Sequence, residues 1–158
     1  MILYFLRHGL AEERETWTGD DSLRPLTKKG EKDLARVADA MLRFKLGLNL
    51  ILTSPYLRAY QTALIVAKAL DKTHVLVQDD RLAPGFGLVN LADILKDHPG
   101  IDNILVVGHE PDFSQTVSDL IGGGRLIFKK SGLARVDLYD ETSLRGELAW
   151  LVTPRMLQ

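Results

Sequence analysis

Two histidines and two arginines in this chain have side chains suited to handling an anion, and each stands close to the end of an apolar run. Arg7-His8-Gly9 follows Ile2–Leu6, Arg58 comes shortly after Leu50–Thr53, and Gly108-His109-Glu110 follows Asn103–Val107. An imidazole titrates near neutral pH and can serve as nucleophile, proton carrier or hydrogen-bond donor. A guanidinium carries a planar fork of donors that matches an oxyanion. Each residue alone has a plainer reading. A histidine at a strand end is commonly just packed, and an arginine early in a helix is commonly solvated. Arg58 in such a place opposes the helix dipole, and a bound anion would reverse the sign of that effect. The coincidence of all four at one edge of a fold is harder to attribute to chance.

Short apolar runs alternate with helical patterns along the chain, and these elements must bring the four residues together. Ile2–Leu6 reads as a buried strand. Leu34, Val37, Ala38, Met41 and Leu42 follow the spacing of an amphipathic helix. Leu50–Thr53 is a second strand. Ser54 is then expected to cap a helix with Pro55 at its first position and Leu57, Tyr60, Leu64 and Ala67 on its inner face. His74–Val77 reads as a third strand, followed by a loop around Pro84, Gly85 and Gly87 and a helix carrying Leu88, Leu91, Ala92 and Leu95. Asn103–Val107 is a fourth strand, and Pro111 starts a helix with Phe113, Val117, Leu120 and Ile121. After Gly122-Gly123-Gly124, read as a turn, the period becomes two through Ala134, Val136 and Leu138 and through Leu148, Trp150 and Val152, which predicts a closing pair of strands. The pattern predicts one α/β domain over residues 1–158, a three-layer α/β/α sandwich on a mostly parallel, mixed sheet. Ligands of such sheets bind beyond the carboxyl ends of the strands, which is where Arg7, His8, Arg58 and His109 would meet.

Composition narrows the chemistry. The 158 residues have a net charge of −1, so no broad field is present to hold nucleic acid or an anionic membrane. Phosphate affinity would have to come from a few positioned cations. The chain has no cysteine, which removes thiolate nucleophiles and thiolate metal sites. The spacing of His8, His74, His98 and His109 suggests no metal, and no cofactor is expected. The opening segment lacks the charged start and small-residue end of a secretory leader, and no run approaches the ~20 apolar residues of a membrane span. A cytoplasmic protein with neither membrane nor nucleic-acid partners is expected.

Leu6-Arg7-His8-Gly9 resembles the signature of the histidine phosphatase superfamily, which includes the phosphoglycerate mutases. The run from Thr53 through Arg58 to Ala63 resembles that family's second arginine motif, and Val107-Gly108-His109-Glu110 its second histidine motif. Chain length, the segment Asp21-Ser22-Leu23-Arg24-Pro25-Leu26-Thr27 and the ending Trp150–Pro154 are most similar to the SixA-type phosphohistidine phosphatases. The resemblance implies that His8 is the nucleophile, that Arg7 and Arg58 bind the phosphoryl oxygens, and that His109, protonated when phosphate is bound, completes the pocket. It implies a metal-independent hydrolase acting on a phosphorylated protein, such as a phosphotransfer domain or phosphocarrier. A small-molecule phosphatase or mutase, and a non-catalytic phosphoprotein-binding module, are the competing expectations.

One departure from the family pattern bears on the substrate. Many members carry a glutamate proton donor after the second arginine's helix, and the similar stretch Asp79–Gly87 puts Pro84 there. Asp21 or Glu110 could supply a proton instead, and the sequence does not choose between them. Lys129 and Lys130 read as a solvated pair, with contact to a protein substrate as the lesser alternative, and Glu12, Glu13, Arg14 and Glu15 as a polar loop bordering the pocket. His74 and His98 receive no role.

Overall fold

Alternation along the central strands decides the architecture. In the computed structural model, which describes residues 1–157, β1 (Ile2–Arg7), β2 (Leu50–Thr53) and β4 (Asn103–Gly108) are buried on both faces. Tyr4, Leu6, Ile51, Leu105 and Val107 point to one side, against α1 (Lys28–Phe44) and α2 (Leu57–Ala69). Leu3, Phe5, Leu52, Ile104 and Val106 point to the other, against α3 (Leu88–Asp97) and α4 (Asp112–Leu120). Near-continuous apolar strands with helices on both faces are the mark of a parallel sheet.

The sheet order is β3-β2-β4-β1-β5-β6, with β3 at Leu76–Gln78, β5 at Leu133–Asp140 and β6 at Arg145–Val152. β1 to β4 run parallel, and β5 and β6 close the sheet antiparallel. The late strand β4 thus inserts between β1 and β2. Arg7 pairs with Gly108 and Thr53 with Val107, so three strand ends finish side by side. No helix among the described residues is long and apolar enough to cross a membrane.

The three-layer fold is as expected, with local corrections. Ser54 does not cap α2, and Pro55 is not its first residue. The helix begins at Leu57, and the Ser54 hydroxyl accepts from the Tyr56 amide within the preceding turn. The buried face of α2 is Ala59, Thr62, Ala63, Val66 and Ala67 together with Arg58, while Leu57, Tyr60 and Leu64 are only half-buried. Small residues face inward because α2 packs closely on the sheet and α1. Leu42 on α1 is exposed, and residues 73–75 form a 3-10 turn before a shorter β3.

Candidate active site

His8 leaves β1 with its backbone held on both sides. Its amide donates to Gly108 O at 3.0 Å, and its carbonyl accepts from Ser131 N at 3.2 Å. The ring Nδ1 lies 2.8 Å from Gly9 O, an acceptor with no hydrogen of its own. Nδ1 must therefore carry the proton, which leaves the lone pair on Nε2. The Gly9 amide donates to Thr62 Oγ1 at 3.0 Å, and Thr62 Oγ1 donates to Arg58 O at 2.7 Å. Thr62 thus ties the histidine loop to the helix that bears the second arginine.

His109 follows the neighbouring strand, its ring centroid 5.3 Å from that of His8. Its Nε2 lies 2.8 Å from Ser54 Oγ. Tyr56 packs edge-on against the same ring and lies 5.0 Å below the Arg58 guanidinium. Gly108 is required by close approach: a Cβ there would stand 2.7 Å from the tip of the Phe113 ring. A side chain at Gly9 would meet Leu34 at 2.6 Å. Both turns are thereby seated against the helices behind them.

Arg58 is not the solvated side chain that a lone arginine suggests. It is only 5% exposed. Its two terminal nitrogens reach Asp21, one to the backbone oxygen at 2.8 Å and one to Oδ2 at 3.1 Å. Arg24 Nε holds the other Asp21 oxygen at 2.9 Å, and its terminal nitrogen donates to Glu12 O at 2.7 Å. Burial works against the charge on Asp21, but the bonds from Arg24 and Arg58 hold its carboxyl below the usual range. Arg7 is anchored by one nitrogen to Phe128 O at 2.7 Å.

These residues wall a cleft of about 440 Å³. All four expected residues, Arg7, His8, Arg58 and His109, line it, as do Asp21, Glu110, Pro84 and the rim Glu12, Glu13, Arg14 and Glu15. Glu110 also caps α4, its Oε1 accepting from Ser114 N at 2.9 Å. Arg7 Nε, Arg58 Nε and His109 Nδ1 are buried without a partner, three of four such side-chain atoms among the described residues. Buried polar nitrogens normally find partners, so this concentration marks a place built for a polar ligand. Both rings are kept neutral at neutral pH. Burial, then nearby His109, Arg58 and Arg7, pushes His8 down to about 3 against the Gly9 bond that favours its proton. Burial and the Arg58 charge push His109 down to about 3 as well.

A profile of the histidine phosphatase superfamily (branch 1) matches residues 3–84. The chain belongs to that superfamily. Over its whole length this histidine phosphatase chain is 35% identical to an uncharacterized protein of Picosynechococcus, covering 99% of both chains. It is 29% identical to the phosphohistidine phosphatase SixA of Escherichia coli K12, over 98% of this chain and 94% of that one. Among solved structures, the protein histidine phosphatase SixA complexed with tungstate superposes with a TM-score of 0.89 at 28% identity, covering 100% of both chains. The SixA-type resemblance thus extends through the fold.

Sequence pattern gives no site role to some residues that line the cleft or brace its walls. Ser54 reads there as a helix cap but holds His109. Thr62 lies one helical turn beyond Arg58, and that spacing is the signal that it shares the arginine's face. Arg24 and Tyr56 reach the cleft through turns whose geometry no periodicity reports.

Proposed function

We propose that this chain hydrolyses phosphohistidine on a protein, passing the phosphoryl group through His8. The reading rests on Pro84, which lines the cleft and which the family resemblance sets against the glutamate donor of many members. Proline gives no proton. An alkoxide leaving group has a conjugate acid of pKa about 16, close to water's 15.7, whereas imidazole leaves neutral once protonated at a reference pKa of about 6.5.

In the first step the His8 Nε2 lone pair forms a bond to phosphorus while the substrate's P–N bond breaks, and the departing ring nitrogen takes a proton. Asp21 is held ionised by Arg24 and Arg58, which makes it the weaker source of that proton; Glu110 is the other carboxyl singled out from the sequence, and it too stands on the cleft wall. The phosphorylated His8 ring becomes cationic, and Gly9 O, accepting from Nδ1–H, stabilises it. In the second step water adds to phosphorus, the His8 Nε2–P bond breaks, and phosphate departs with the water's remaining protons shared with solvent. Arg7, Arg58 and His109 offer their free donors to the oxygens, so positioning and charge supply the catalysis. Tungstate, a tetrahedral oxyanion like phosphate, occupies the SixA structure that resembles this one. No metal is required by this chemistry, and among the described residues no three His, Asp or Glu side chains cluster as ligands.

The test compares phosphoramidate and a phosphohistidine peptide with phosphoserine and sugar phosphates. A good general acid is worth about 10²–10⁴-fold, so alkyl esters should lag by that order. Efficient hydrolysis of an unactivated alkyl phosphate would favour a small-molecule phosphatase and defeat the proposal.

A further inference from the structure

Beside the His8 cleft runs a second groove of about 420 Å³ that the proposed chemistry leaves without a task. Four cations line it: Lys29 and Arg36 from α1, Lys130 from the segment before β5, and Arg155 from the turn after β6. Asp33 is the single carboxylate in the wall. It takes Lys29 Nζ at 2.7 Å and lies 3.8 Å from Arg36. Lys130 and Arg155 have no carboxylate partner among the described residues. Three separate parts of a chain with net charge −1 therefore contribute a local positive excess.

Two observations connect this groove to the site. Lys130 lines both the groove and the His8 cleft, so the two adjoin. The next residue, Ser131, donates its amide to His8 O. The cleft also carries an acidic stretch, Glu12, Glu13 and Glu15, so an acidic partner would be drawn toward the Lys130 side and away from that loop. All four groove cations are exposed. A small anion would find no desolvated pocket there, whereas an extended acidic segment could meet several cations at once.

We propose that the groove receives an acidic segment of the phosphorylated protein and selects which phosphoprotein is accepted. This rests on the reading of the cleft given above. Charge complementarity of this kind acts on encounter and orientation more than on the chemical step. It should appear in kcat/KM for a protein or peptide and be absent for a substrate too small to span the groove.

The experiment uses phosphohistidine peptides that carry four aspartates or four serines on either side of the phosphorylated residue, with phosphoramidate as the small control. At low salt, the acidic peptide of the preferred orientation should exceed its serine counterpart in kcat/KM by about tenfold, the sum of several weak exposed pairs. The preference should vanish near 1 M salt, where the screening length falls to about 3 Å. Combined Lys29→Gln, Arg36→Gln and Arg155→Gln should abolish it while phosphoramidate turnover stays within about twofold. That control also reports that the variant is folded. Equal rates for acidic and serine peptides, a preference unchanged in the variant, or an equal loss of phosphoramidate turnover would each overturn the groove's role while leaving wild-type phosphoramidate hydrolysis in place. Failure of the wild-type protein to hydrolyse phosphoramidate or any peptide would instead overturn the reading of the cleft, and this inference with it.

Discussion

Filling the cleft with sulfate should move a proton onto His109, and the size of that effect follows from the surroundings of the ring. Sulfate is a useful probe because it does not itself titrate between pH 4 and about 8, unlike phosphate with its second pKa of about 6 when bound as an ester. Both imidazoles are neutral at neutral pH, with His109 pushed down to about 3 chiefly by burial and then by Arg58. A unit negative charge at about 4 Å, in an effective dielectric of about 20, is worth about 4 kcal/mol. At 1.36 kcal/mol per pKa unit that is about 3 units. Bound sulfate should therefore bring His109 from about 3 to about 6 or above. Calorimetry in two buffers of different ionisation enthalpy should find close to one proton taken up per sulfate at pH 5 and none at pH 8. Stability supplies a second reading of the same groups. A histidine whose folded pKa is depressed binds protons first in the unfolded chain, so its contribution is complete above about pH 6.5 and is lost as pH falls toward the folded value. Between pH 7 and 5 each of His8 and His109 should cost about 2 kcal/mol, or about 4 together. Sulfate should restore part of it. A His109 ring that titrates near 6.5 in the free protein, or sulfate binding at pH 5 with no proton uptake, would refute the reasoning.

Other substitutions separate binding from turnover. His8→Ala is expected to bind sulfate but lose turnover, and quenched wild-type reactions with labelled substrate should trap an acid-labile, base-stable adduct on His8. Asp21→Asn weakens the hold on Arg58, and kcat should fall about tenfold, equivalent to about 1.4 kcal/mol, with the pH profile keeping its shape. A changed profile would mean that Asp21 carries the proton. Thr62→Val leaves the buried Gly9 amide unpaired at a cost of about 1–3 kcal/mol, and Tm should drop by about 2–4 °C per kcal/mol. Gly108→Ala should destabilise by a similar ~1–3 kcal/mol through overpacking against Phe113, and Phe113→Leu should relieve much of it. Exhaustive chelation is expected to leave the rate unchanged.

Much of this was readable from the residues because the central strands are short, apolar and bounded. Leu50–Thr53 matches its strand without adjustment, and Asn103–Val107 falls one residue short. The four cleft residues were legible for the same reason, since each lies at or shortly after a strand end that the topology places on one rim. Periodicity failed on α2. Of the expected inner face only Ala67 is buried; Leu57, Tyr60 and Leu64 are half-exposed, because close packing on the sheet selected the small residues Ala59 and Ala63. The Asp21–Arg58 pair was hidden because its partners come from a turn and a helix separated by 37 positions, and only the tertiary fold sets their distance. Ser54 misled because a serine before proline is a good cap in local terms, while the nearest demand on its hydroxyl is a histidine 55 positions away.

The placement of β4 between β1 and β2 has a consequence for how the protein comes into being. The two outer strands of that trio are synthesised first, yet neither pairs with the other in the finished sheet. Between them they carry His8 and lead to Arg58, and they can hold these residues in register only after a strand from the second half of the chain arrives. A nascent chain that has not yet emerged beyond about residue 108 therefore has His8, Arg7 and Arg58 but no framework to aim them. Contacts between distant segments form slowly compared with local ones. The cleft should therefore form late and all at once, when β4 slots into place, so newly made chains stay without the proposed activity until the central sheet is complete.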